Sequence, residues 1–207
     1  MRIVLISDTH NQHHGLDLPE GDILIHAGDF SGRGRVSEAQ QFLDWFGSRP
    51  HPHKVLIAGN HDFICEKEPA LFDSMVPDNV IYLNDSGVEI EGVKIWGSPI
   101  QPWFFDWAFN RQRGADIAKH WALIPEDTDI LVTHGPPYGI LDRTDDGKLV
   151  GCEELIKVVE RIRPKIHVFG HIHEAHGSLI KDGTHYVNAS ILNLRYMRVW
   201  DATVVEI

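Results

Sequence analysis

The sequence predicts an α/β fold in a single domain, and three observations carry that prediction. Short apolar runs alternate with helical segments along the first part of the chain. A length of 207 residues suits one domain of ordinary size. A hydrophobic fraction of 43% supplies a real core and argues against disorder. No internal repeat, low-complexity segment or linker divides the chain, so one domain over residues 1–207 is the simplest reading.

Taken in order, Ile3-Val4-Leu5-Ile6 reads as a buried strand, and Asp22 to Gly28 holds another. Ser37-Glu38-Ala39-Gln40 has the form of a capping box; the helix it opens carries Phe42, Leu43, Trp45 and Phe46 on its apolar side, and Gly47 can end it. A third strand runs from Lys54 to Ala58. Glu68 to Met75 is a helix candidate stopped by Pro77. Val88 to Trp96 alternates around a turn at Glu91-Gly92, the pattern of a β-hairpin. The stretch from Trp96 to Phe109 is aromatic and irregular, with Pro99 and Pro102 inside it. Ala115 to Leu123 is helical, Asp129 to Thr133 a strand, Glu153 to Arg163 a helix closed by Pro164, and Ile166 to Phe169 a strand. A hairpin around Asp182-Gly183 and a last strand, Thr203 to Ile207, complete the series.

Charge and cysteine content narrow the function. The formal net charge is −11, without any run of Lys or Arg. That argues against a broad grip on nucleic acid or on an anionic membrane. A phosphate substrate stays open, because bound divalent cations reverse the sign locally. Cys65 and Cys152 lie far apart and are too few for a disulfide framework; two reduced thiols in a cytosolic protein is the reading. The apolar run before Asp8 is too short for a signal peptide, and no segment is long enough to span a bilayer. A soluble, cytoplasmic protein with no membrane partner is expected. Its oligomeric state has no signature in the sequence.

The fourteen histidines matter for where they fall. The strand-like runs are followed by Asp8-Thr9-His10, by Gly28-Asp29, by Gly59-Asn60-His61-Asp62, by Thr133-His134-Gly135 and by Gly170-His171-Ile172-His173. In α/β sheets the carboxyl ends of strands form the crevice where ligands bind, so five such ends would share one cleft. Asp8 and His10, like His171 and His173, are two apart; in extended chain such pairs project to one face. Glycines 28, 59, 135 and 170 permit tight turns beside the site. One strand-end Asp is usually a turn or cap residue, and one His is usually a surface residue; five motifs in register are a metal site. Carboxylate, amide oxygen and imidazole without thiolate suit Mn, Fe or Zn. Seven ligands, Asp8, His10, Asp29, Asn60, His134, His171 and His173, exceed the three or four of a single catalytic zinc, so two divalent ions are implied, with Asp29 the candidate bridge.

As an ordered set spanning nearly the whole chain, these motifs resemble the calcineurin-like metallophosphoesterase superfamily. Gly97 to Trp103, Trp107-Ala108-Phe109-Asn110 and His134-Gly135-Pro136-Pro137 are similar to its metallophosphoesterase-domain-containing branch, which is related to class III cyclic nucleotide phosphodiesterases. The resemblance implies a two-layer β-sandwich flanked by helices, αββα, with the metals at its edge. It assigns Asp8, His10 and His173 to one ion, Asn60, His134 and His171 to the other, and the bridge to Asp29. His61 takes the place of the general acid near the leaving group. Several relatives carry Asp-Arg-Gly after the bridging aspartate, and that Asp supports the catalytic His; here Gly32 stands in its place, so Asp62 or another group must support His61. Arg33 matches the Arg and is a candidate for binding a phosphate oxygen, with a solvated loop arginine as the equal alternative.

The implied activity is phosphoester hydrolysis by a hydroxide bridging the two ions, first of all in a phosphodiesterase for cyclic nucleotides or other small diesters. A phosphomonoesterase is the nearest enzyme alternative, and a non-catalytic nucleotide-binding scaffold on the same fold the other. The partner is a small phosphate ester, with nucleotides among the candidates. The aromatics from Trp96 to Phe109 suit core packing under a long loop better than a stacking wall for a base. His13 and His14 are expected to face solvent, and Asn188-Ala189-Ser190 to border the site.

Overall fold

Ile3, Val4, Leu5 and Ile6 are all fully buried, because their strand is covered on both faces. The computed structural model describes residues 1–207. Its first half holds β1 (Arg2–Ile6), β2 (Ile23–Ala27), α1 (Val36–Gly47), β3 (His53–Ile57), α2 (Phe63–Lys67), α3 (Pro69–Met75) and β4 (Ile81–Tyr82). The hairpin β5 (Ser86–Ile90) and β6 (Val93–Ser98) follows, then β7 (Gln101–Pro102), β8 (Asn110–Arg111) and α4 (Ala115–Trp121). The remainder is β9 (Ile130–Thr133), α5 (Glu153–Ile162), β10 (Ile166–Phe169), β11 (Gly177–Lys181), β12 (Thr184–Asn188) and β13 (Thr203–Glu206).

The strands form two main sheets. One has the order β13-β1-β2-β3-β4 and is parallel except for β13. The other has the order β11-β12-β10-β9-β6-β5, with four parallel strands between two antiparallel edges. Alternation along each strand builds the layers. Ile3, Leu5, Ile25, Val55 and Ile57 meet Ile95, Val132, Val168 and Val187 in a core of 17 buried residues between the sheets. Their neighbours Val4, Ile6, Leu24, Leu56, Leu131 and Phe169 join side chains of α1, α3, α4 and α5 in the outer apolar layers. The architecture is the sandwich flanked by helices. No helix is long and apolar enough to cross a membrane.

Parallel register decides where the polar strand ends go. Ile6 lies opposite His26, and His26 opposite Leu56, so β1, β2 and β3 finish level. In the other sheet Val168 lies opposite Val132, which brings the ends of β9 and β10 level too. A bridge between Ser7 and Ser190 joins the two sheets at this same end.

Local chemistry accounts for the details and for some departures. Both hairpins turn through two residues of positive φ, Glu91-Gly92 and Asp182-Gly183, the conformation that matches strand twist. The capping box expected at Ser37 is displaced: α1 starts at Val36, and the Glu38 carboxylate accepts the Arg35 N–H at 3.0 Å and the Arg33 N–H at 3.1 Å. Gln40 pairs instead with Asp44, one turn on. Helix α2 and the two-residue strands β4, β7 and β8 are too short to leave a periodic signal.

Candidate metal centre

All five polar strand ends converge. Nitrogen and oxygen donors of Asp8, His10 and His173 lie within 4.8 Å of one another, and so do those of Asp29, His134 and His171. Asp29 also groups with His10 and His61, which places it between the two sets. Its Oδ2 is 3.4 Å from His134 Nε2 and 3.7 Å from His10 Nε2. Asp8 Oδ1 is 3.4 Å from His173 Nε2. Asn60 Oδ1 is 2.9 Å from His134 Nε2, so the amide oxygen belongs with the second set. Four of these residues, Asp8, His10, Asp29 and His171, have φ between 39° and 67°. Left-handed backbone is uncommon outside glycine and concentrates at functional sites.

The imidazoles are aimed by the backbone. Nδ1 of His10, His134 and His173 donates to the carbonyl oxygens of Ser31, Ala27 and Asn193 at 3.2, 2.9 and 3.1 Å. Each ring therefore turns Nε2 towards the other donors, the arrangement that fixes a metal-binding tautomer. Asp8 is held from two directions, by the Ser190 hydroxyl at 2.7 Å and the His171 N–H at 3.0 Å. A Cβ at Gly170 would collide with Asp8 and Ser7, and one at Gly59 with Asp29, so both positions need glycine. Two buried histidines outside the motifs brace the strand ends from beneath. His26 Nε2 meets Thr9 Oγ1 at 3.0 Å, and His167 Nε2 meets Thr133 Oγ1 at 2.9 Å. Of these bracing residues, Ser190 carries a sequence signal; His26 and His167 look like ordinary strand residues and carry none.

Charge and burial test whether divalent cations suit this set. Asp8 and Asp29 are buried with only imidazoles for ionic partners. Although burial opposes it, nearby histidines hold both carboxyls well below their usual range, so both stay ionised. Burial alone would lower His134 and His173, but the carboxylates of Asp29 and Asp8 win and raise each to about 9. His10 and His171, where burial dominates, fall to about 4 and about 3 and remain neutral. His10 Nε2 is buried without a hydrogen-bond partner, as a lone pair kept for a cation would be. Two carboxylates, an amide oxygen and four imidazoles are donors for Mn, Fe or Zn. The residues fit.

A prediction follows from the signs. In the metal-free protein His134 and His173 carry protons below about pH 9, and a cation can take their Nε2 atoms only when those protons leave. Manganese uptake at pH 7 is therefore expected to release about two protons per chain, and affinity to rise with pH up to about 9. Titration calorimetry in buffers of different ionisation enthalpy measures this; uptake without proton release would show the assignment to be wrong.

Comparison with known proteins bears on the same residues. The family model described as calcineurin-like phosphoesterase matches residues 1–175. The chain belongs to the calcineurin-like phosphoesterase family. Metallophosphoesterase domain-containing protein 1 of Homo sapiens is 41% identical over 230 aligned positions, covering 100% of this chain and 71% of the human one. UPF0046 protein K07C11.7 of Caenorhabditis elegans is 39% identical and covers 93% of this chain and 70% of its own. The crystal structure of TT1561 of Thermus thermophilus shares the fold, with TM-score 0.60 at 13% identity over 98% of this chain and 97% of that one. As a calcineurin-like phosphoesterase the protein is a metal-dependent phosphoesterase that uses divalent ions.

Within this calcineurin-like site, His61 sits at the mouth. Its Nε2 is 4.0 Å from Asp29 Oδ2, its N–H donates to Asp29 Oδ1 at 2.7 Å, and its ring lies against Trp107, tilted by 32° with centroids 4.2 Å apart. Support for the ring comes from the Gly32 carbonyl, which accepts from Nδ1 at 2.8 Å. The expectation that Asp62 acts on His61 is corrected. The Asp62 carboxylate is fully buried and accepts the N–H groups of Asp29, Phe30, Ser31 and Gly59 and the Ser31 hydroxyl, at 2.6–3.3 Å. It ties the two loops together and reaches no ring. Burial and the Asp29 charge push it up to about 7, while its hydrogen bonds hold it down. All five of these donors favour the ionised form.

The metal cleft, about 200 Å³, is lined by Asp29, Asn60, His61, His171 and His173 together with Phe104, Trp107, Leu194 and Tyr196. Arg33 is not in it. That residue lines a neighbouring cavity with Lys67, which has Trp107 in common with the cleft. The aromatic stretch divides: Phe109 is in the core as expected, whereas Trp103, Phe104 and Phe105 are exposed, Phe104 among them lining the cleft. His13 departs from expectation as well, being buried against Phe42 and Trp45, while His14 is exposed.

Proposed function

We propose that this protein is a phosphodiesterase for small diesters, cyclic nucleotides among them, with its two donor sets loaded by Mn, Fe or Zn. The observation that supports a diester over a monoester is the lining of the cleft. No Lys or Arg borders it, and its rim is Phe104, Trp107, Leu194 and Tyr196. A diester brings one negative charge and two organic groups; a terminal phosphate brings a second charge that no Lys or Arg of this lining meets.

Asp8, His10 and His173 would hold one ion, Asn60, His134 and His171 the other, with Asp29 between them. Bound there, such cations supply Lewis-acid stabilisation of the phosphoryl oxygens and an activated water as nucleophile. The chain's own work is positional and proton-handling. His61, fixed through Nδ1 by the Gly32 carbonyl, presents Nε2 to the departing ester oxygen and gives it a proton. After transfer the ring keeps its Nδ1–H and returns to a neutral tautomer already matched to its partner. Trp107 covers one face of the ring.

The test uses methyl 4-nitrophenyl phosphate and 4-nitrophenyl phosphate, a diester and a monoester with one leaving group, on manganese-loaded protein. The diester is expected to show the higher kcat/KM, by about tenfold or more. A faster monoester would replace this reading with a phosphomonoesterase.

A further inference from the structure

The cavity lined by Arg33 and Lys67 measures about 550 Å³, inside the range of roughly 300–1,000 Å³ common for small-molecule sites. Trp107 lines both this cavity and the metal cleft. A row of side chains leads from one to the other. His61 and Trp107 have centroids 4.2 Å apart, Trp107 and Phe63 follow at 6.0 Å, and the Lys67 ammonium lies 4.6 Å from the Phe63 centroid. A group that takes its proton from His61 therefore departs beside a wall of this cavity.

The charges around the space are open. Arg33 and Lys67 supply two cations, Glu68 and Asp106 two carboxylates. The ion pairs of Lys and Arg in this chain are those of Lys94, Arg111, Lys119, Lys148, Arg161 and Lys165. Arg33 and Lys67 make none, and the carboxylates of Glu68 and Asp106 receive none. Two charges of each sign thus stand around one cavity without neutralising one another.

The wall that carries Arg33 is fixed. Its N–H donates to Glu38 at 3.1 Å, and the Gly34 N–H donates to the Ser31 hydroxyl at 2.9 Å, the same hydroxyl that donates to Asp62. Gly34 has a φ of 63°, and a Cβ there would collide with the peptide nitrogens of Phe63 and Ile64, so this loop rests directly on α2. A guanidinium receives a carboxylate through paired N–H groups. An ammonium is held by an aromatic face together with a carboxylate, here Trp107 and its neighbour Asp106.

We propose that this cavity is a leaving-group subsite for a zwitterionic alcohol, one that carries an ammonium and a carboxylate as a hydroxyl-bearing α-amino acid does. The inference rests on the phosphodiesterase reading, which gives His61 an alkoxide to protonate. The carboxylate of the departing alcohol faces Arg33 and Lys67, and its ammonium faces Trp107, Asp106 and Glu68. All four charged side chains are exposed, so water and salt screen them and the preference is expected to be moderate and to shrink as salt is added.

The experiment uses phosphonates, whose carbon–phosphorus bond a phosphoesterase does not cleave. Calorimetry compares 2-amino-4-phosphonobutanoate, 4-phosphonobutanoate, 3-aminopropylphosphonate and propylphosphonate on manganese-loaded wild type, Arg33→Gln and Asp106→Asn. Wild type is expected to bind the zwitterion about tenfold tighter than propylphosphonate, with each singly charged ligand between the two. In both variants that ratio is expected to fall towards one, Arg33→Gln losing the advantage of the carboxylate and Asp106→Asn that of the ammonium. Equal binding of the zwitterion and propylphosphonate by wild type, a singly charged ligand as tight as the zwitterion, or a ratio unchanged in either variant overturns the proposal. Both substitutions are at exposed positions, and the unfolding midpoint checks that the fold survives. Failure of the phosphodiesterase reading shows separately, as faster turnover of 4-nitrophenyl phosphate than of its methyl diester; the phosphonate comparison does not depend on that outcome.

Discussion

Replacing His61 with alanine is expected to lower kcat for a diester with an alkoxide leaving group by about 10²–10⁴, the range contributed by a positioned general acid. The loss should depend on the leaving group. An alkoxide is strongly basic and needs a proton as it departs, whereas 4-nitrophenolate leaves without one, so the same variant should keep most of its rate on the nitrophenyl ester. Metal content should stay near the wild-type value. His61 is outside the two donor sets assigned to ions and reaches Asp29 Oδ1 through its backbone N–H, which the alanine keeps. The pair of measurements is kinetics on the two leaving groups and metal analysis of the purified variant. Equal losses on both esters would remove His61 from the role of acid.

Asp29→Asn is expected to be more severe, because one carboxylate serves both donor sets. The asparagine keeps the shape of the side chain and an oxygen for the His61 N–H, but removes the buried charge that faces His134 at 3.4 Å and His10 at 3.7 Å. Even partners one step removed from a metal are worth about 10–100-fold in affinity, so loss of a shared ligand should weaken both ions by at least about that factor. Activity should fall about 10³-fold or more, the several kcal/mol that Lewis-acid stabilisation supplies. Metal analysis after gel filtration and a steady-state rate decide the matter; normal binding of two ions with normal turnover would end the assignment of Asp29 as the shared residue.

The sandwich and the donor residues are legible because both are written locally. An apolar run of four or five residues names a buried strand, and the polar residues just past its end have nowhere to go but the crevice, as Asp8, Asp29, His134 and His171 show. What escapes depends on partners far away in the chain. Ser190 and Asp8 are 182 residues apart, and the Gly32 carbonyl that orients His61 has no side chain to announce it. Asp62 stands beside His61 in sequence, which makes it the natural supporter of the ring. Its carboxylate instead faces peptide nitrogens 31–33 residues back, a choice made by the loop and invisible in the motif. The exposed aromatics escape for a similar reason. Hydrophobicity predicts burial, and only hydrogen bonds formed in the fold, from Asn110 to the backbone of Phe104 and Phe105 and from the Trp103 N–H to the Arg111 carbonyl, accompany the exposure of these three rings.

The anchoring of two loops to the single carboxylate of Asp62 is expected to bear on which ions the centre accepts. With the peptides of residues 29, 30, 31 and 59 fastened to one point, neither loop can retreat alone to admit a larger sphere. Ionic radius is then expected to select alongside ligand type: calcium, which seeks oxygen neighbours at roughly 2.3–2.6 Å, should be taken up less well than an ion of shorter bonds, roughly 2.0–2.2 Å for zinc, and competition between the two in metal analysis checks it.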